Sequence, residues 1–225
     1  MDLLEGIATT RAIRRYTDEP VTDDQLNQIL FAASRAPSGS NRQRFRFLLL
    51  RDDPASQPAR ELLAQGAQSI WGQKQTTDKY DRNAEADSPK ARMAATMTHY
   101  VEHLGDAPVI LLPCLIRHRA STPTEGGSVY PAVQNLLLAA RAIGLGGVLT
   151  GFQAPVETEL RALLGIPEEV LMAGTITLGH PAGNHGPVRR RPLQEFVFET
   201  SWGNHPDWPQ DPPGTRFTSA GPPKS

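Results

Sequence analysis

With one cysteine in 225 residues, the chain cannot close a disulfide on itself. That residue, Cys114, lies in the apolar run APVILLPCLI, which reads as inert core, with a nucleophilic thiol as the alternative. Net charge is equally scarce: 23 lysines and arginines against 24 acids leave −1. No electrostatic footprint for nucleic acid or an anionic membrane follows, so any basic group that matters acts locally. The longest apolar run is far too short to span a bilayer. The start, MDLLEGIATTRAIRR, has acids inside its apolar stretch and no basic leader with a small-residue cleavage site, so the expected location is the cytoplasm.

Several catalytic signatures are also missing. No Ser-His-Asp or Cys-His arrangement is visible, and no Gly-x-x-x-x-Gly-Lys loop exists for a nucleoside triphosphate. His99 and His103 are spaced to share one helix face, but two ligands do not complete a metal's coordination sphere. GLGGVLTG (144–151) has the spacing G-x-G-G-x-x-x-G and follows a helix, whereas a dinucleotide fingerprint needs a strand before its glycines and a helix after them. Its glycines still permit close approach of a flat ligand. A chain without its own acid-base or nucleophilic machinery points to a bound cofactor.

What is present is a series of well-marked elements. Residues 3–9 form a short helix by pattern. Thr22 with Gln25 is a capping-box signature, and Leu26, Ile29, Leu30 and Ala33 follow at helical spacing until Pro37. Phe45 to Leu50 is a buried strand by pattern, closed by Asp52-Asp53-Pro54. Ser88-Pro89 opens a helix carrying Met93, Met97, Tyr100, Val101 and Leu104, while 76–88 ahead of it reads as an exposed excursion. A strand at 108–116, a helix at 128–143 ending at Gly144, a helix at about 156–164, one strand over 170–179 and a last strand over 194–199 complete the pattern. The final 23 residues hold six of the 20 prolines and read as an extended or disordered tail. Too few strands are separated by short crossovers for a doubly wound parallel sheet, which leaves an α+β sandwich as the expected class. The apolar 128–143 helix has surface to spare for a partner subunit.

Arginines gather at 11, 14 and 15, at 42, 44 and 46, and at 189, 190 and 191. Arg11, Arg14, Arg189 and Arg191 together would suit a monophosphate, since a guanidinium fork binds it bidentately; the alternative is a solvated basic surface. The stretch APSGSNRQ (36–43) packs two serines, an asparagine and a glutamine into one connection. It is either an elaborate turn or a set of hydrogen-bonding groups aimed at a ligand.

Four segments in order resemble the FMN-dependent nitroreductase family: TTRAIRRYTDEPV, APSGSNRQRFRFLLL, SVYPAVQNLLLAARAIGLGG and LGHP followed by VRRRPLQEFV, spread over residues 2–199. The resemblance implies one nitroreductase-like FMN-binding domain over 1–202 with a Pro/Gly-rich tail at 203–225. The implied fold is an α/β/α sandwich around a mostly antiparallel sheet, assembled as an intertwined homodimer with FMN at the interface. It places Arg11, Ala12, Arg14, Arg189 and Arg191 at the FMN phosphate, and Ser38 and Asn41 at the ribityl chain and ring edge, with Pro37, Gly39 and Gln43 completing the loop. Leu149, Thr150 and Gly151 match the segment lining the flavin ring. Ser128, Tyr130 and Pro131 would approach ring and substrate from the partner subunit. Ala12 departs from the family's serine, and Arg44-Phe45 stands where a tryptophan is common. Gln73 or Lys74 is a further candidate contact, and 65–127 carries no readable motif. The implied activity is ping-pong transfer of two electrons from NADPH or NADH, through FMN, to nitroaromatics, quinones or similar flat acceptors, with no catalytic side chain required. The alternatives are a narrow-substrate dehalogenase or heterocycle dehydrogenase, a flavin-binding protein without turnover, and a basic-patch interaction module.

Overall fold

The strand Val109–Ile116 (β2) shows why the chain forms three layers. Side chains alternate across a strand. Val109, Leu111 and Leu115 therefore enter one core, while Ile110, Leu112 and Cys114 enter the other. A strand apolar on both faces must be covered twice, and two groups of helices do so.

The computed structural model describes residues 1–78, 80, 88–183, 188 and 190–213. The chain divides into two compact units: residues 12–183, and the described residues of 1–11 and 184–225.

In the larger unit the sheet order is β1 (Phe45–Arg51), β2, β5 (Thr175–Gly179), β3 (Gly146–Thr150), with β4 (Val170–Met172) also on β2. Every strand pair is antiparallel. Helices α2 (Asp23–Ser34) and α5 (Tyr130–Ala142) cover one face with Leu26, Ile29, Ala33, Val133, Leu136 and Ala140. Helices α3 (Gln57–Thr77), α4 (Pro89–Glu102) and α6 (Glu157–Leu164) cover the other with Leu63, Ala67, Trp71, Tyr100, Val101 and Leu160. The capping box at Thr22 forms as the pattern predicts: Thr22 Oγ1 accepts from Gln25 N at 3.2 Å, and Gln25 Oε1 accepts from Thr22 N at 2.9 Å.

The strand expected over 170–179 is two strands. β2 pairs with β5 through Val109–Leu111 and with β4 through Cys114–Ile116. The changeover falls at Pro113, which has no N–H to give a ladder, and there Ala173 N donates to Pro113 O at 2.8 Å. Arg60, wholly buried on α3, supplies a second internal tie by donating to Gly105 O at 2.7 Å and Ala107 O at 2.6 Å. These bonds fasten the connection between α4 and β2 from inside. Apolar surface remains at Phe31, 63% exposed.

In the smaller unit, α1 (Leu3–Thr9) starts at Asp2, whose carboxylate accepts from Leu4 N and Glu5 N. The strand expected over 194–199 is absent. Leu193–Phe196 makes one 3-10 turn, and Val197 is extended without a ladder neighbour among the described residues. A strand needs an adjacent edge to take its backbone groups. Within the expected tail, His205 packs edge-on against Phe198 at 4.6 Å and Pro209 is buried, so 204–209 is more ordered than its composition implies. No described helix is long and apolar enough to cross a membrane.

Candidate functional site

Two places in the larger unit combine polar groups with unusual backbone or burial. The first is the loop between α2 and β1. Pro37 follows the helix and is exposed. Ser40, Asn41 and Gln43 have φ of 52°, 49° and 51°, the left-handed region that non-glycine residues enter at a cost of order 1 kcal/mol each. The conformation is held by its own side chains: Ser38 Oγ accepts from Gln43 N at 2.9 Å, and Gln43 Nε2 donates to Asn41 Oδ1 at 3.1 Å. Gly39 N donates to Ser128 Oγ at 3.2 Å. This last bond joins residue 128 to the loop within one chain. Tyr130, 46% exposed, is held by donation to Ala173 O at 3.1 Å, and Pro131 opens α5 behind it.

The second place is built on the segment after Ala12. Ile13 N donates to Gly147 O at 3.0 Å, and Thr17 N donates to His180 O at 2.9 Å, so the segment runs along the ends of β3 and β5. Glycine is required beneath it. A Cβ at Gly146 would lie 2.5 Å from Ile13 Cγ1, and one at Gly179 would lie 2.9 Å from Tyr16. Gly146 and Gly147 thus serve internal packing rather than approach to a ligand. Gly151, just past the other end of β3, is exposed, and a Cβ there would meet no atom within 4 Å.

Buried beneath this segment is a chain of hydroxyls. Tyr16 Oη and Tyr100 Oη each lie 2.8 Å from Thr177 Oγ1. Thr150 Oγ1 donates to Thr175 O at 3.2 Å, and Thr175 Oγ1 donates to Gln153 Oε1 at 3.1 Å. Burial, and secondarily Tyr100, pushes the Tyr16 phenol far above its usual range; burial likewise raises Tyr100 to about 12. Both stay protonated and serve as neutral hydrogen-bonding groups. Over the Tyr100 ring, 6.0 Å from its centroid, sits the Arg14 guanidinium. Its Nε is buried and has no hydrogen-bond partner among the described residues.

That orphaned donor fits an anion. Arg14 is a permanent cation braced by a ring and lacking a partner for one N–H among the described residues. Leu149, Thr150 and exposed Gly151 lie at the other end of β3 from Gly146. Exposed Ala12 offers no side-chain donor. Arg11 and Arg191 are exposed and belong to the smaller unit, where Arg191 pairs with Glu195 at 3.2 Å. Arg189 lies outside the described residues. Gln73 and Lys74 are exposed near the end of α3.

Other candidates have internal roles. Cys114 is buried, and burial raises its thiol to about 11. The His99 and His103 rings lie 4.2 Å apart, with no group of three metal-ligating residues among those described. The sequence reading missed Tyr100, Thr177 and Gln153 as parts of the Arg14 site, because hydroxyls and amides on three separate elements leave no local spacing.

Comparison with known proteins fits this geometry. A family model described as the nitroreductase family matches residues 7–180, and the chain belongs to that family. It is 31% identical over 205 residues to an NADH dehydrogenase of Thermus thermophilus, covering 88% of this chain and 96% of that one. It is 29% identical over 200 residues to an oxygen-insensitive NADPH nitroreductase of Salmonella typhimurium, covering 88% and 74%. The crystal structure of a Desulfovibrio desulfuricans protein in complex with FMN superposes with a TM-score of 0.64 at 32% identity, covering 90% of this chain and 98% of that chain.

Proposed function

We propose that this protein is an FMN-dependent oxidoreductase that uses NADPH or NADH to reduce nitroaromatics, quinones or similar flat acceptors. The observation that carries the reading is Arg14, whose buried Nε has no acceptor among the described residues, in a chain whose relative binds FMN. Arg14 would hold the FMN phosphate. Ser38, Asn41 and Gln43 would present hydrogen bonds to the ribityl chain and ring edge, with Pro37 and Gly39 shaping the loop. Leu149, Thr150 and Gly151 would line the ring, and Ser128, Tyr130 and Pro131 would bound the substrate side.

FMN supplies two-electron hydride chemistry when bound. The side chains bind, orient and exclude. Arg14 places positive charge where the cofactor's anionic group rests, and the loop's strained backbone keeps its donors aligned before any ligand arrives. None of these residues needs to carry a proton. A homodimer with FMN between subunits accounts for polar sites built on separate loops, and exposed Phe31 is surface such a partner could cover.

The visible spectrum of the purified protein tests the reading. Oxidised flavin bands that bleach anaerobically on addition of NADPH or NADH support it. A colourless chain that FMN cannot reconstitute overturns it, and a yellow chain that neither cofactor bleaches leaves a flavin-binding protein without this reductase activity.

A further inference from the structure

A cavity of about 160 Å³ opens beside the 38–44 loop, walled by that loop, the end of β2 and residues 117–128. Its lining is strongly basic. Arg42, Arg44, Arg117, His118 and Arg119 all border it, against one carboxylate, Glu125. That carboxylate is already engaged, taking two bonds from Arg117 at 2.7 and 2.8 Å and one from Ser121 Oγ at 2.9 Å. Arg42, Arg44 and Arg119 have no carboxylate partner among the described residues, so three permanent charges face one small volume uncompensated. Ser38, Ser40 and Ser128 hydroxyls complete the wall. The positive field is felt locally: desolvation, then Arg42, Arg44 and Arg119, hold the His118 imidazole below its usual value.

We infer that this cavity is a subsite for an oxyanion, the phosphate monoester or carboxylate of a reactant, held by Arg42, Arg44 and Arg119. It rests on the flavin reading, because Ser38 belongs both to the proposed flavin loop and to the cavity wall. Guanidinium forks with neighbouring hydroxyls match planar carboxylates and phosphates, and a nearly neutral chain gives no general reason for such a concentration of charge. The cavity admits a head group, not a whole dinucleotide. Two reactants could bring one: the 2′-phosphate of NADPH, or a carboxylate on the electron acceptor.

The test uses the FMN-loaded full chain and compares each charged probe with its neutral counterpart: 2′-AMP with adenosine, and 4-nitrobenzoate with nitrobenzene. Calorimetric titration is expected to favour one charged probe by about tenfold, and the Arg42→Gln, Arg119→Gln double variant is expected to abolish that preference. Both side chains are exposed, so the fold should survive the change. Preference for 2′-AMP assigns the site to the dinucleotide; preference for 4-nitrobenzoate assigns it to the acceptor. In steady state the matching KM rises about tenfold with kcat unchanged. Equal affinity for charged and neutral probes in the unmodified chain overturns the inference, as does loss of bound FMN in the variant, which would make the cavity part of the flavin's own site. A chain that takes up no FMN but keeps the anion preference overturns the flavin reading and leaves the oxyanion subsite standing.

Discussion

Thr177 and Tyr100 share a buried hydrogen bond of 2.8 Å that ties the middle of β5 to the end of α4, and the same tyrosine ring supports Arg14. A sheet residue therefore sets the height of a cationic side chain through one intermediate. Tyr100→Phe keeps the ring and leaves Thr177 bonded to Tyr16, so it should cost only about 1 kcal/mol of stability and leave FMN affinity nearly unchanged. Thr177→Val removes the hydroxyl both tyrosines use and should cost about 1 to 3 kcal/mol. Urea unfolding of the two variants checks the order.

Arg14→Ala should weaken FMN binding by about 1.5 to 3 kcal/mol, roughly 10- to 150-fold, the range for a charge-assisted bond to an anion. Quenching of FMN fluorescence on binding measures it. Wild-type affinity in this variant would remove Arg14 from the phosphate site.

Gly146→Val pushes a side chain into Ile13, where even a Cβ would lie at 2.5 Å. The segment carrying Arg14 must shift. The expected result is about 1 to 3 kcal/mol of destabilisation together with weaker FMN binding, seen by thermal melting and flavin titration. Destabilisation without any change in FMN binding would show that Arg14's position does not depend on this contact.

Alkaline pH should destabilise the fold. Cys114 and Tyr100 are acids whose neutral forms the folded state favours, so between each ordinary value and its raised value the folded chain holds a proton that the unfolded chain has lost. Their contribution is complete below about pH 9 and lost as pH rises through 11 and 12. Urea midpoints at pH 8, 9.5 and 10.5 should fall in that order. At pH 8 the native thiol should resist a disulfide reagent that titrates one cysteine in denaturant.

Much of the architecture was legible because its signals are local. The capping box at Thr22, Pro89 at the start of α4 and Gly144 after α5 each act within one turn of chain, and helices appear where they indicate. The division of 170–179 was not legible, because its cause is Pro113 on a neighbouring strand. Nor was Arg60, which lies in a stretch where the sequence pattern marks no element and is buried by the 105–107 connection. The strand over 194–199 was expected from its local pattern, which does not supply the edge a strand requires.

By itself, the sequence determined the α+β class and the family, and it singled out the loop at 36–43 and the arginine at 14 as candidates, because these depend on residue identity and short spacings. Only the tertiary structure decided that Ser128 meets Gly39 in the same chain, that Arg14 rests on Tyr100 with an unpaired Nε, and that five basic side chains around 38–44 and 117–119 enclose one cavity. Those relations join residues far apart in the chain. Their positions follow from packing two helical layers on one sheet, which no local spacing encodes.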